Sequence, residues 1–226
     1  ALMAAGAEPT VVVGTKCSVF SDGNLQIGSP DLLVLEGDEY RRHVLEYQPT
    51  ILVLNNIEYD HPDAFPDMQS YANMFRELIE LVRDRGVIIF NADDDACAKV
   101  MESSLASLKE RGVGVISVGR DKGLIRFSEP AVEDGLWVSR LKALESEYLE
   151  VRLRVPGEMN IRNAVMAVTA AVAYRDDANL GDIARALEEF PGCWRRFERL
   201  GTFNGADVFS DYGHHPTAIR ETLKAA

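Results

Sequence analysis

Three clusters of chemically capable side chains each follow a strand end. The first is Glu36-Gly37-Asp38-Glu39-Tyr40, directly after Leu32–Leu35. A carboxylate at the carboxyl end of a strand can hold Mg²⁺ beside a phosphate, and Glu36 stands at that point; solvated turn acids are the ordinary alternative. The second runs from Asn55 to Asp63 after Ile51–Leu54 and carries Asn56, Glu58, Asp60 and His61. A neutral imidazole can ligate a metal, and carboxylates can orient it or bind Mg²⁺ themselves. The alternative there is a polar loop with Asx turns. The third is Ser210-Asp211-Tyr212-Gly213-His214-His215-Pro216-Thr217. Adjacent histidines point in different directions, so one metal held by both is not expected. A histidine stacked on or bonded to a ligand, or a plain helix start with Pro216 in its first turn, fits as well. Asn160 and Asn163 lie three apart at a helix start and share a face. Paired amides could read the edge of a base, or serve as an N-cap and a helix-face amide.

The absent motifs narrow the chemistry. No G-x-x-x-x-G-K-[ST] phosphate loop occurs. Gly14-Thr15-Lys16-Cys17-Ser18 follows a strand but has the wrong glycine spacing. Neither a nucleophile elbow nor an HExxH helix is present. Taken alone, these residues describe an α/β domain with an acidic ligand cleft.

Alternating short apolar runs and helical patterns must position the clusters. Thr10–Gly14, Leu32–Leu35, Ile51–Leu54, Val87–Phe90 and Val113–Val118 read as strands. The continuous apolar runs are the pattern of buried parallel strands. Pro66–Arg85 is an amphipathic helix whose Met68, Tyr71, Met74, Phe75, Leu78, Ile79 and Val82 share one core-facing stripe. Asp94–Arg111, Asn160–Tyr174 and Leu180–Phe190 are further helices. Gly135–Val155 alternates and reads as antiparallel strands. After the break at Pro191-Gly192, Arg195–Gly201, Ala206–Ser210 and a helix from Pro216 look like a new unit. The expected class is α/β: a mostly parallel sheet flanked by helices, with a small antiparallel subsheet.

Composition excludes some partners. Among 226 residues, Lys and Arg number 24 against 36 Asp and Glu, a net charge of −12. Such a surface argues against nucleic acid and anionic membranes. Cys17, Cys97 and Cys193 form no CxxC pair, so reduced thiols are expected, not a zinc ribbon or a disulfide framework. The longest apolar stretch, Ala164–Tyr174, falls far short of the ~20 residues of a membrane span. A cytoplasmic location is expected. The opening Ala-Leu-Met-Ala-Ala-Gly reads as the tail of a helix ending at Gly6, as in a chain cut from a longer one.

In order and spacing, these clusters resemble the Mur ligases of bacterial cell-wall synthesis. The resemblance rests on Glu36–His43, Tyr47-Gln-Pro49, Asn56–Asp63, Val155-Pro-Gly157, Asn160 with Asn163-Ala164, Arg195-Arg-Phe197 and Asp211–Thr217. It covers nearly the whole chain and is closest to the branch that couples L-alanine or a murein tripeptide to UDP-N-acetylmuramate. Met159 departs from it, standing where that branch usually has His. The resemblance implies a central ATP-binding domain over residues 1–193, without its phosphate loop, and the start of a Rossmann-like C-terminal domain over 194–226. It implies ATP and Mg²⁺ as cofactors and amide formation through an acyl phosphate. UDP-N-acetylmuramate and an amino acid or peptide donor would be the partners. Glu36 and His61 would hold metal, with Asn56, His61 and Arg196 at the reacting groups. Asn160, Asn163, Asp211, Tyr212 and His214 would contact the nucleotide. L-alanine is the favoured donor and the tripeptide the alternative. A folylpolyglutamate synthase fits less well because His-His-Pro does not suit it. A catalytically silent binding module is the reading from another class. This chain alone is expected to be inactive.

Overall fold

The computed structural model describes residues 1–143 and 146–226. The scaffold is a seven-stranded sheet. Its parallel part runs β4 (Ile51–Leu54), β5 (Val87–Asn91), β6 (Gly114–Gly119) and β7 (Ile125–Phe127). Beyond β7 the sheet turns antiparallel, with β9 (Leu136–Ala143), β10 (Ser146–Leu153) and the short β8 (Ala131–Glu133). The alternating Gly135–Val155 stretch is the β9–β10 hairpin, and its residues 144 and 145 lie outside the described residues.

Alternation along β5 divides the core. Successive side chains leave a strand on opposite faces. Ile88 packs with Met74, Ile79, Met101 and Leu108 on the side of α1 (Met68–Glu80) and α2 (Asp95–Glu110). Its neighbour Ile89 packs with Leu141, Val151, Ile161 and Met166 on the side of α3 (Glu158–Tyr174) and α4 (Leu180–Glu188). Both faces are therefore covered, as a parallel sheet requires.

The helix ends have local causes. Asp67 caps α1 by accepting from Ser70 N–H at 2.7 Å, and the Ser70 hydroxyl receives the Asp67 N–H. The helix stops earlier than its apolar stripe, which predicts continuation to Arg85. The Arg83 N–H donates to Pro49 O and the Arg85 N–H to Arg111 O, so neither continues the helical ladder. Arg85 is left-handed, with φ of 62°. Met68 also departs from the core stripe. It is exposed because it occupies the first helical position.

The run Leu32–Leu35 departs further. It belongs to β3 (Ser29–Leu35), which pairs only with β1 (Pro9–Val12) in a separate three-stranded sheet completed by β2 (Leu25–Gln26). Leu33 is 59% exposed, so the run is not buried on both faces. β3 lies at the edge of its sheet. β4 is likewise an edge strand, and Val53 is exposed. Continuous apolarity marks a strand here without making it central.

The last segment is a hairpin of β11 (Glu198–Phe203) and β12 (Ala206–Ser210), followed by α5 (Pro216–Ala225). No residue from 191 to 226 is buried, and Phe203 and Leu223 are each 70% exposed. A lone two-stranded hairpin is marginal in water. In the 226-residue chain, amides of β11 and β12 are therefore expected to exchange at least 10³-fold faster than those of β5, in the range of local opening against global unfolding. Hydrogen exchange read by mass spectrometry checks this; equal protection would show that the hairpin shares the main core.

Candidate active site

The strand-end clusters converge on one cleft of about 580 Å³. It is lined by Gly14, Thr15 and the Glu36–Glu39 turn, by His61, and by Trp194, Arg195, Arg196 and Tyr212; Thr15 meets Trp194 directly, its hydroxyl donating to Trp194 O at 3.0 Å. Ligands of open α/β folds bind outside the carboxyl ends of strands, and Glu36 follows β3 directly.

Glu36 is anchored by one oxygen. Its Oε2 accepts from Gly14 N–H at 2.6 Å. His61 takes a left-handed backbone, φ 56°, and its N–H donates to Asp60 Oδ1 at 2.7 Å. That geometry turns the ring toward Glu39, with Nε2 3.4 Å from Glu39 Oε1, and the Tyr40 ring lies 5.0 Å away. The Tyr40 hydroxyl donates to Asp63 at 2.9 Å, which ties the first cluster to the second.

Asp38 and Asp60 are held below the usual carboxylate range. For Asp38 the main cause is the His43 ring beside it, 3.1 Å away. Burial alone would raise Asp60; the His61 N–H and the nearby His61 and His214 rings outweigh it. Tyr71, buried beneath the cluster, is pushed well up by desolvation and by Glu39, whose carboxylate its hydroxyl meets at 3.5 Å.

The cationic part of the lining is built at a turn. Arg195 and Phe197 both have positive φ, 55° and 52°. The carboxylate of Asp211 holds this turn by accepting from Phe197 N–H at 2.9 Å and Gly213 N–H at 2.7 Å. Arg195 then stacks over Tyr212 at 4.7 Å and Arg196 at 5.9 Å. Arg195 and Arg196 thus line the same cleft as the Glu36 turn and His61. The arrangement suits a polyanion that carries its own cation.

Among the described residues, no three of His, Cys, Asp or Glu lie close enough to enclose one metal ion. Mg²⁺ does not require such a cage. It keeps several waters and takes one or two carboxylates plus phosphate oxygens. The oxygen donors of the Glu36 turn, in one cleft with arginines that suit phosphate, fit that ion.

Of the expected site residues, Glu36 and His61, picked out by type and position, and Arg196 and Tyr212, implied by the resemblance, line the cleft. The other expected site residues do not. Asn56 is exposed on the loop after β4. Asp211 spends its carboxylate on backbone N–H groups. His214 lies beside Asp60 at 3.4 Å and against Tyr212, outside the lining. Asn160 donates its side-chain amide to Pro156 O at 2.7 Å, a local bond to the turn before α3, and Asn163 is exposed one turn on. Gly14, Thr15, Asp38, Glu39, Trp194 and Arg195 line the cleft without having been singled out one by one. Gly14 and Thr15 fail as a phosphate loop by spacing, yet their strand-end position was itself a signal. Asn91, at the end of β5, carried no motif. It is buried and donates to Asn55 O at 2.9 Å, which fixes the root of the second cluster.

The Mur ligase middle domain family matches residues 24–171. The chain belongs to the Mur ligase family. It is 34% identical over 220 residues to a UDP-N-acetylmuramate–L-alanine ligase of Clostridium acetobutylicum, covering 97% of this chain and 46% of that protein. It is also 34% identical to the enzyme of that name from Mycobacterium marinum, covering 100% of this chain and 46% of that one. The chain thus spans about half the length of the curated relatives it matches. Among solved structures, a UDP-N-acetylmuramate–alanine ligase of Thermotoga maritima superposes with a TM-score of 0.79 at 24% identity, over 99% of this chain and 48% of the other. At that identity the likeness establishes the fold, α/β with a mostly parallel sheet flanked by helices.

In this Mur ligase domain the second and third clusters touch directly. Glu58 Oε1 accepts from the Thr217 hydroxyl at 2.7 Å. His215 Nδ1 lies 3.1 Å from the same oxygen but off the hydrogen-bond direction. His215 Nε2 lies 3.2 Å from Tyr59 O. The loop after β4 therefore grips the first turn of α5. Glu58→Ala is expected to speed amide exchange in α5 about fivefold, the loss of about 1 kcal/mol for a half-exposed charged hydrogen bond. Unchanged exchange there would show that Glu58 does not hold the helix.

Proposed function

We propose that this chain is the ATP-facing core of a ligase that joins an amino acid to UDP-N-acetylmuramate, with L-alanine as the favoured donor. The carrying observation is the cleft itself: Glu36, His61, Arg195 and Arg196 line it together, a set that suits a metal-bound polyphosphate. The names of the 34%-identical relatives supply the donor. Residues 1–193 would form the central ATP-binding domain and 194–226 the first elements of a C-terminal domain. The α/β core of residues up to Ile183 and the coreless segment after it support that division.

In this reading the carboxylate of the sugar nucleotide takes the γ-phosphoryl group and ADP leaves. The donor amine attacks the acyl carbon, a tetrahedral intermediate forms, and it collapses to amide and inorganic phosphate. Glu36 and His61 would hold Mg²⁺, which supplies charge neutralisation at the phosphates. Glu39 orients the His61 ring, as an outer partner of a metal ligand does. Arg196 and Arg195 draw the polyphosphate into the cleft and stabilise charge on the transferred group. Tyr212 offers a ring for the nucleotide. Asn160, Asn163, Asp211 and His214 would contact the nucleotide, and Asn56 the acyl phosphate, only after the cleft closes. Closure would keep water from the labile acyl phosphate. The net charge of −12 supports a partner set without nucleic acid, and a cytoplasmic location matches the ATP requirement.

The chain spans about half of its relatives' length, so the 226 residues alone are expected to release no phosphate from Mg-ATP with sugar nucleotide and donor. The full-length ligase tests the reading. Phosphate release with UDP-N-acetylmuramate and L-alanine is the expected result. Release only with the L-Ala-γ-D-Glu-diaminopimelate tripeptide would replace the donor. Silence with both would leave a binding module.

A further inference from the structure

Two of the three cysteines meet next to segments that line the cleft, near Thr15 and Trp194. Cys17 Sγ and Cys193 Sγ lie 2.9 Å apart although 176 positions separate them in sequence. A disulfide bond is about 2.05 Å long, so joining them needs an approach of less than about 1 Å. Their closeness does not depend on side-chain rotation alone, because the backbone clamps both segments. Trp194 N–H donates to Lys16 O at 2.8 Å, and the Thr15 hydroxyl donates to Trp194 O at 3.0 Å. Cys17 N–H is itself held by Gly23 O at 2.8 Å, and Cys193 O accepts from Arg196 N–H at 3.1 Å.

We propose that Cys17 and Cys193 form a disulfide site that staples the segment after β1 to the segment carrying Arg195 and Arg196. The site is separate from the chemistry assigned to the cleft, and it does not depend on the ligase reading. Its consequence is mechanical. The segment that carries Gly14 and Thr15 and the segment that carries Trp194, Arg195 and Arg196, all lining the cleft, would be covalently tied.

Access sets the order of events. Cys17 is 5% exposed, whereas Cys193 is only half-buried. A low-molecular-weight disulfide such as oxidised glutathione therefore meets Cys193 first. Cys193 loses its proton and its sulfur attacks one sulfur of the oxidant. The oxidant's S–S bond breaks, one small thiol leaves, and a mixed disulfide remains on Cys193. Cys17 then loses its proton and attacks the Cys193 sulfur, which expels the second small thiol. The two cysteines give up two electrons and two protons, and the oxidant becomes two thiols.

Burial and the Cys17 contact push the Cys193 thiol up to about 12. A thiol that keeps its proton attacks slowly and leaves poorly. Formation is therefore slow, and the bond, once made, resists exchange. Cys97 serves as an internal reference. It is fully buried in α2, and desolvation raises its thiol well above the ordinary value.

The test treats the 226-residue chain with oxidised glutathione, then unfolds it in acid, alkylates it and counts thiols by mass. The expected result is one alkylated cysteine, Cys97, against three in the reduced chain. A peptide linking Cys17 to Cys193 should appear, with no retained glutathione. The oxidised chain should melt about 5–10 °C higher, because the bond closes a long loop in the unfolded state. Cys193→Ser and Cys17→Ser should each keep both remaining thiols free of any intramolecular link. Three free thiols after prolonged oxidation would overturn the proposal. So would a stable glutathione adduct, a link to Cys97, or disulfide-joined dimers.

Discussion

Glu36→Gln in the full-length ligase is expected to lower kcat by about 10²- to 10³-fold, the size found when one charge-stabilising group is removed from a preorganised site. The substituted protein should keep its circular dichroism spectrum and its Tm. Both expectations come from the same geometry. Glu36 stands at the end of β3 with Oε2 on Gly14 N–H at 2.6 Å. A glutamine oxygen still accepts that bond, so the strand end is preserved. The negative charge is what the change removes. In the proposed site that charge holds Mg²⁺ in the cleft that Arg195 and Arg196 also line, and a neutral amide is a far poorer ligand for a hard divalent cation. A tenfold rate change corresponds to about 1.4 kcal/mol, so the expected loss is about 3–4 kcal/mol of transition-state stabilisation. Because the loss is in the chemical step, kcat should fall more than KM for ATP rises. Steady-state phosphate release at varied Mg-ATP measures both. Turnover within threefold of the unsubstituted enzyme would remove Glu36 from the metal site.

The largest stability effect is expected at Leu141. Leu141→Ala should cost about 2–5 kcal/mol, the range for truncating a buried leucine. Tm should drop by about 10 °C in a chain of this size. Leu141 is fully buried, and its strand β9 joins β7 on one side and β10 on the other. Its side chain packs in the cluster of Phe127, Val151 and Ile161. These neighbours belong to two strands and a helix that pin one another, so the cavity cannot readily collapse. Leu105, on the wet side of α2 and 47% exposed, is the control. Leu105→Ala should change stability by no more than about 0.5 kcal/mol. Thermal melts of the two variants make the comparison, and equal effects would contradict the burial argument.

The two clusters that follow apolar runs were legible because parallel strands end where open α/β folds place ligands. Glu36 and His61 could be picked out by type and position. Arg196, Tyr212 and the nucleotide-contact assignments needed the resemblance to the Mur ligases, since a pair of arginines or a tyrosine in a loop carries little signal. Asn91 was invisible for a different reason. Its role depends on a buried donor meeting Asn55 O from another strand, and no local pattern encodes that.

The sequence by itself determined the main helices, the longer strands and their order, but not the two- and three-residue strands β2, β7 and β8, which are too short to carry a pattern. Hydrophobic period, helix caps and the proline and glycine breaks act within a few residues, and Asp67, Asp94 and Asn179 cap their helices as such local chemistry predicts. It also determined the family, because motif order survives without coordinates. Tertiary structure decided which strands share a sheet. Leu32–Leu35 and Ile51–Leu54 read alike, yet β3 and β4 lie in different sheets, because pairing is set by partners distant in the chain. It also decided which expected residues reach the cleft and which are spent on backbone, as Asp211 is on Phe197 and Gly213. The contacts between Thr15 and Trp194 and between Cys17 and Cys193 join opposite ends of the chain. Only the closed topology brings such pairs together, since their energy is gained after the whole intervening domain has folded.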